Sequence, residues 1–386
     1  MYTNILFICG SLELGKDGVG DYTRHLAKQL IQFGNSVSII AINDKHINDI
    51  INETLQKHIA VPTLRLPKDL SWSQKKEEIV KFVRYQRPDW VSLQYVPFSF
   101  HTKGLCFGLS YRLKSSIKDV QWQIMFHELW CGMAKKSTLK EKVLGFGQKI
   151  VLKNTVTVLK PKKIFTSTVS YKERLESIKI KNINVIPIFG NISHNALASD
   201  EKWKAKIDQQ ATYMLKSSDT INIGFFGSIY SNCELEDLFL HISGFARKKG
   251  LNINIIQAGV SKNIDILKRA SKTIKANLIE IGEQDEDILN RLFTHIKIAV
   301  STTPAEGIDK SGSAAAWLER SIPILISSSD TSYKSNELEK KGLFQVLSQD
   351  DIERAMESRR SREPESRLPY VAKFYVDKLT ILNESK

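Results

Sequence analysis

The sequence predicts an α/β protein made of two doubly wound halves, and three observations carry that expectation. Short apolar runs alternate with helix-length segments, the pattern of parallel strands covered by helices on both faces. The alternation stops once, in a polar stretch between roughly residues 191 and 220, and then begins again. A chain of 386 residues also has the length of two domains rather than one.

In order, the first half opens with the buried strand Ile5-Leu-Phe-Ile-Cys9, a glycine-bearing loop, an amphipathic helix near residues 20–33 stopped by Gly34, and the strand Val37-Ser-Ile-Ile-Ala41. This is a βαβ unit. Apolar runs at Trp90–Leu93, Gln123–Phe126, Lys163–Thr166 and Asn184–Pro187 extend it, with Pro88-Asp89 as the turn into the first of them. The second half begins at Ile221–Phe226 and continues through Ile253–Ile256, Leu278–Ile281, Lys297–Val300 and Ile322–Ile326. Beyond Pro369 the tail reads as a last helix, preceded by Arg359, Arg360, Arg362 and Arg367. The expected domains are residues 1–195 and 215–366, with a terminal helix at 367–386 packing back on the body.

Composition bounds the function. With 42% hydrophobic and 25% charged residues, the chain has the make-up of an ordinary globular protein with a sizeable core. No apolar run approaches the roughly 18–20 residues that cross a bilayer, and Met1 leads almost directly into the first strand, so neither a span nor a signal peptide is expected. Cys9, Cys106, Cys131 and Cys233 are too widely spaced for a metal knuckle or redox pair, which fits a reducing cytosol. The net charge is +14, and residues 1–200 hold 29 basic against 16 acidic side chains, so +13 of it lies there. That half is expected to meet something anionic. The densest run, Lys135 to Lys163, sets nine lysines against Glu141 alone, with Leu139, Val143, Leu144, Phe146, Ile150 and Val151 interleaved at helical spacing. Contact with an anionic membrane surface and a solvated face on a buried helix both fit this pattern. Nucleic acid fits poorly, because aromatics do not interleave as stacking platforms, and no nucleic-acid partner is expected.

In open α/β sheets ligands sit beyond the carboxyl ends of the strands, so the loops there are the candidate sites. The loop Gly10–Asp21 ends in Gly18 and Gly20, which open a helix whose N–H groups and dipole suit a phosphate. A dinucleotide fold would need G-x-G-x-x-G tight against the strand. Here about nine residues separate Cys9 from Gly18, and Thr23 stands at the third glycine position. Asp44 either mimics a ribose acid or ends its strand. His127 and Glu128 follow the strand Gln123–Phe126, where they can touch a ligand hydroxyl or form a satisfied structural pair. The segment Glu306-Gly307-Ile-Asp-Lys310-Ser311-Gly312-Ser313 combines small residues, capping serines and a lysine charge, as an anion site does and as a plain helix start also can. Asp285-Glu-Asp287 has the spacing of a divalent-metal motif, but acids in a first helical turn need only the dipole to explain them. No metal site is expected.

As an ordered set, these segments resemble the retaining glycosyltransferases of the two-Rossmann-domain GT-B architecture, of the bacterial glycosyl transferases group 1, or family 4-like, type. Asp17–Gly34 with the following Asn-Ser-Val-Ser-Ile-Ile-Ala is similar to the family's glycine loop, first helix and second strand. Ser92-Leu-Gln94-Tyr95 and His127-Glu128 look like its first-domain loops facing the cleft. Gly224-Phe-Phe-Gly227-Ser228-Ile-Tyr230, Gln257-Ala-Gly259, Glu280-Ile-Gly282 and Thr303-Pro-Ala-Glu306-Gly307 follow in the family's order. The resemblance covers nearly the whole chain.

It implies two Rossmann-like domains with a deep cleft, and transfer of a sugar from a UDP- or GDP-sugar to a saccharide or lipid-linked hydroxyl with retention, in cell-envelope glycolipid or polysaccharide synthesis. No metal or other cofactor is implied, and the location is cytoplasmic or peripheral on the inner membrane face. By the same resemblance His127 contacts the transferred sugar as the catalytic residue. Gly18, Gly20, Gly227, Ser228, Tyr230, Glu306, Gly307, Lys310, Ser311, Gly312 and Ser313 bind the donor, while Asp21, Gln94, Tyr95 and Glu128 serve the acceptor. Two family features are missing: the Arg and Lys after the Gly227 strand are replaced by Ser228–Tyr230, and the second glutamate falls on Ala314–Ala316. Lys310 and the Ser311–Ser313 loop are expected to take over the phosphate. The alternatives are a non-catalytic nucleotide-sugar binder, and an epimerase, which would need acids and a histidine about the sugar in a second half that offers only His241 and His295.

Overall fold

The computed structural model describes residues 3–57, 59–133, 137–194, 197–231, 233, 235–303, 305–326 and 335–380. The chain forms two units, Met1–Pro187 with Leu368–Lys386, and Ile188–Arg367. The first is built on eight strands: β1 (Asn4–Cys9), β2 (Ser36–Asp44), β3 (Ile51–Lys57), β4 (Ile59–Pro67), β5 (Trp90–Tyr95), β6 (Gln121–Phe126), β7 (Lys163–Thr166) and β8 (Ile183–Val185). Their order is β3-β4-β2-β1-β5-β6-β7-β8. Every neighbouring pair is parallel except the hairpin β3–β4. The strands at the centre are buried on both faces, which is why β1 and β5 read as continuous runs rather than alternating ones. The chain winds outward from β1 through β2 in one direction and from β5 through β6 in the other, so the switch point lies between β1 and β5.

The helix after β1 spans Gly18–Gln32, starting two residues before the expected position because Asp17 caps it. It buries Tyr22, Thr23, Leu26, Ala27 and Leu30, and Gly34 takes a positive φ of 84° just past its end. The lysine-rich segment forms a helix at Leu139–Leu159, opened by a capping box between Thr138 and Glu141. The terminal helix Leu368–Thr380 belongs to this unit and buries Val371, Ala372, Tyr375 and Leu379. The Tyr375 ring meets Phe165 edge-on at 5.0 Å and Phe7 at 6.2 Å. Burial of side chains of this size contributes about 1.5–3 kcal/mol each.

The second unit holds β9 (Thr220–Phe226), β10 (Asn252–Ala258), β11 (Asn277–Gly282), β12 (Ile298–Ser301), β13 (Ile324–Ile326) and β14 (Leu343–Gln345), all parallel, in the order β11-β10-β9-β12-β13-β14. Its switch point lies between β9 and β12. The polar stretch before β9 is not bare linker: Ser199 and Asp208 cap two short helices, Asp200–Lys206 and Gln209–Lys216, and Trp203 is buried between them and the core. Glu319, almost wholly buried, holds both ends of this unit's chain. Its carboxylate accepts from the Gly190 N–H at 3.0 Å and the Arg367 N–H at 3.1 Å, and its backbone carbonyl accepts from the Glu365 N–H.

Candidate functional site

In the first unit the loops at the β1/β5 switch point carry the residues singled out by sequence. Two of the first N–H groups of the Gly18–Gln32 helix are already taken: the Asp17 carboxylate accepts from Val19 N at 3.0 Å and Gly20 N at 2.9 Å. The expected phosphate cradle at Gly18 and Gly20 is therefore revised, since a carboxylate already occupies the donors a phosphate would use. Gly20 serves packing instead, because a Cβ there would stand 2.5 Å from the Ser11 carbonyl oxygen, whereas one at Gly18 would meet nothing within 4 Å. Asp21 accepts from Gly15 N and from Arg24, whose guanidinium also reaches the Leu12 carbonyl. Burial raises the Asp21 carboxyl and Arg24 opposes that rise. Asp44 is an organiser of the same loop. It accepts from Ser11 Oγ, Leu12 N and His46 N, and pairs with Arg65 Nε at 2.8 Å. Burial raises its carboxyl too, but the hydrogen bonds from Arg65, Leu12, His46 and Ser11 outweigh it and hold the group below its ordinary range.

His127 follows β6 and is 9% exposed. Burial drives its imidazole down to about 3, so the ring is neutral at neutral pH. Its Nε2 lies 2.8 Å from Gln94 Oε1 on β5, and the Tyr22 ring packs edge-on to it at 4.8 Å. Gln94 is fully buried beneath it. Tyr95 does not share that position: successive strand residues face opposite ways, and its ring is buried against Phe126, with the hydroxyl near Cys106 Sγ. The expectation of an acceptor contact at Tyr95 is corrected accordingly. Glu128 is exposed. Sequence reasoning missed Gln123, Tyr22 and Tyr375, which join Ser92 and Gln94 in the polar cluster under His127. The available signal was the presence of Ser and Gln inside otherwise apolar strands, where each must find a partner.

In the second unit a recess opens at the β9/β12 switch point, lined by Gly227, Ser228 and Ile229 after β9, Thr302 and Thr303 after β12, Ser313 and Trp317 on the helix Gly312–Leu318, and Gln257 on β10. Gly227 has φ +83° and Gly259 φ +86°, and their Cα atoms approach so closely that a Cβ on Gly259 would lie 3.4 Å from the Gly227 Cα. Thr302 Oγ1 accepts from Tyr230 N, pinning the loop. Gln257 Nε2 donates to the Gly227 and Ala258 carbonyls, while its buried Oε1 has no partner among the described residues. Among the described residues no arginine or lysine lines the recess.

Tyr230 is 46% exposed beside the recess. Ser311 caps the Gly312–Leu318 helix by accepting from Ala314 N at 3.2 Å, and its hydroxyl meets that of Ser313 at 3.0 Å. Gly312 packs against Asn191, and Lys310 is an exposed turn residue whose stem lies over Gly307. Glu306 falls on the helix Ala305–Ile308, and its side chain lies outside the described residues. The metal reading of Asp285 and Asp287 gives way to an ion pair, since Lys202 Nζ lies 2.9 Å from the first and 2.7 Å from the second.

The Leu139–Leu159 helix buries Gly145, Gln148, Val151, Leu152, Thr155 and Leu159. On the opposite side Leu139, Val143, Phe146 and Ile150 form an exposed apolar stripe, with Lys140, Lys142 and Lys153 also exposed. Lys149 leans over the Trp130 ring at 5.0 Å, and Lys135 and Lys136 lie outside the described residues. No helix among the described residues is long and apolar enough to cross a membrane.

No known family profile matches the chain, and no curated protein matches it by sequence. Solved structures do match it end to end. HepE from Anabaena, in complex with UDP and glucose, superposes with a TM-score of 0.56 at 11% identity, over 98% of this chain and all of that one. The UDP-GlcNAc 2-epimerase from Neisseria meningitidis bound to UDP-GlcNAc gives 0.53 at 13%, over 98% and 99%. The catalytic domain of starch synthase IV from Arabidopsis thaliana, bound to ADP and acarbose, gives 0.52 at 11%, over 96% and 94%. The fold is thus the GT-B one, with two Rossmann-like α/β domains.

Proposed function

We propose that this GT-B chain is a glycosyltransferase that takes a UDP- or GDP-linked sugar and passes it, with retention and without a resident metal, to a saccharide or lipid-linked hydroxyl. The observation that carries the reading is the recess at the β9/β12 switch point. Among the described residues its lining has no charged side chain, and it offers the Gly227 backbone and the hydroxyls of Thr302, Thr303 and Ser313. That chemistry suits a diphosphate approached by N–H and O–H donors. The unpartnered Gln257 Oε1 is an acceptor that a donor group on a bound nucleotide would satisfy. Three of the solved structures this chain resembles hold UDP, UDP-GlcNAc or ADP, which supports a nucleotide at the corresponding fold position.

His127, neutral and hydrogen-bonded, then serves the transferred sugar as a polar contact rather than as a charged acid. For the epimerase reading the second unit offers three histidines: His295, whose carbonyl accepts from Asn222 at the amino ends of the strands, His241 within the helix Glu236–Lys249, and His194, whose Nε2 lies 3.6 Å from the Glu319 carboxylate; none of them lines the recess. The exposed Leu139–Ile150 stripe with its lysines is the face we assign to an anionic lipid surface, from which a lipid-linked acceptor would be reached.

The test is calorimetric titration of the purified protein with UDP, GDP and ADP, repeated with Thr302→Ala and Lys310→Ala. Binding of one nucleotide that weakens in Thr302→Ala supports the recess, and weakening in Lys310→Ala would add the lysine to it. Absence of binding by all three removes the reading.

A further inference from the structure

Ser92 and Gln94 stand two apart on β5 and so share a face, and Gln123 on β6 is the register partner of Ser92. All three are fully buried. Such groups are costly in a strand core unless they are paired, and here they form one directed chain that ends on Gln123, whose Nε2 has no partner among the described residues. Gln94 Nε2 donates to Ser92 Oγ at 2.7 Å, and Ser92 Oγ donates to Gln123 Oε1. The Tyr375 hydroxyl of the terminal helix lies among the same groups. Because the Gln94 amide nitrogen is taken by Ser92, only its carbonyl oxygen is turned to His127, 2.8 Å from Nε2. A carbonyl oxygen can only accept, so the imidazole must donate from Nε2. The Tyr22 ring, edge-on at 4.8 Å and 76°, fixes the plane of the imidazole.

We propose that Gln94 is a positioning residue: with Ser92 and Gln123 behind it, it holds His127 as the Nε2–H tautomer and leaves Nδ1 as a lone-pair acceptor for a hydroxyl of the bound sugar. The inference rests on the reading of His127 as the sugar contact.

The experiment is long-range proton–nitrogen NMR of protein labelled with ¹⁵N-histidine, with turnover measured on the same samples. The wild type is expected to show a single neutral Nε2–H form at His127. Gln94→Leu is expected to mix the tautomers and to lower kcat by about 10- to 100-fold, the range for lost outer-shell bonds to histidine, while KM for the nucleotide sugar holds. An Nδ1–H or doubly protonated ring in the wild type, or an unchanged tautomer in Gln94→Leu, overturns the proposal. If Gln94→Leu does not fold, Ser92→Ala frees the carboxamide to turn over and is expected to mix the tautomers, and a pure Nε2–H form there is equally fatal. Absence of turnover from the wild type with every nucleotide sugar defeats the transferase reading while the spectrum still decides the tautomer. Turnover unaffected by Gln94→Leu despite a changed tautomer defeats the positioning role alone.

Discussion

Acidification is the most direct probe of His127. Burial puts its folded-state value at about 3, against 6.5 for an exposed imidazole. Above pH 6.5 both folded and unfolded chains carry a neutral ring, and the group adds nothing to the pH dependence. As the pH falls below 6.5 the unfolded chain takes up a proton that the folded chain refuses, and stability is lost at about 1.4 kcal/mol per pH unit until the folded group titrates near 3. Between pH 7 and pH 5 the loss from this one residue is about 2 kcal/mol. For a unit of this size that corresponds to a fall of about 4–8 °C in the melting midpoint. Other groups titrate over the same range, so the readout is a double difference: thermal melts of the wild type and His127→Gln at the two pH values. The wild type is expected to lose those additional degrees. Equal acid shifts in the two proteins would mean that the folded state protonates His127 freely, and the buried, neutral ring would be wrong.

Three further outcomes follow from the same geometry. Gly20→Ala drives a Cβ to within 2.5 Å of the Ser11 carbonyl and is expected to cost about 1–3 kcal/mol, while Gly18→Ala, with open space around it, stays within about 0.5 kcal/mol, both read as thermal midpoints. Glu319→Ala strips the acceptor from the Gly190 and Arg367 N–H groups and is expected to destabilise the protein by about 1–3 kcal/mol for each donor left buried, measured by denaturant unfolding. In vesicle sedimentation the protein is expected to bind phosphatidylglycerol membranes and not phosphatidylcholine ones. Replacing both Lys140 and Lys142 by Gln should weaken binding by about 2 kcal/mol, roughly 30-fold, and Phe146→Glu should abolish it.

How much of this could be read from the sequence depended on burial. β1, β2, β5, β6, β9 and β10 lie inside their sheets, so both faces are buried and their mainly apolar runs stand out. The hairpin β3–β4 did not, because Ile51-Asn-Glu-Thr-Leu-Gln-Lys57 forms a sheet edge and reads as a polar segment. β14 has only three residues. His127 was visible as a polar residue closing an apolar strand, and Lys202 as the partner of Asp285 and Asp287 was not, since that contact joins a helix in the polar stretch to one far along the chain. The cluster beneath His127 depends on the β5–β6 register and on a tyrosine from the last helix, neither of which is a local property. The glycine loop after β1 misled for a different reason. Asp17-Gly18 is also a helix-capping signal, and the cap won over the phosphate cradle.

That contest separates two loops that look alike on paper. Each follows a strand at the centre of a parallel sheet, each stands at a switch point, and each has glycines where backbone could approach a ligand. The first is filled with its own carboxylates: Asp17 on the helix N–H groups, Asp44 on Leu12 N and Ser11, Asp21 on Gly15 N, and Glu13 on Arg65. A phosphate arriving there would have to displace the Asp17 carboxylate from the donors it needs, and Arg24 and Arg65, the cations at hand, are already paired with Asp21, Asp44 and Glu13. Among the described residues the recess after β9 is lined by no carboxylate; glycine, serine and threonine line it together with Phe225, Phe226, Ile229, Val300 and Trp317, and the Gln257 carboxamide oxygen has no partner among them. On the proposed reading, the nucleotide belongs at the recess of the second unit. The same proposal gives the first unit the sugar, at His127, and an anionic surface, at the Leu139–Leu159 helix, and nucleotide titration of Thr302→Ala and vesicle binding of Phe146→Glu would separate the two assignments.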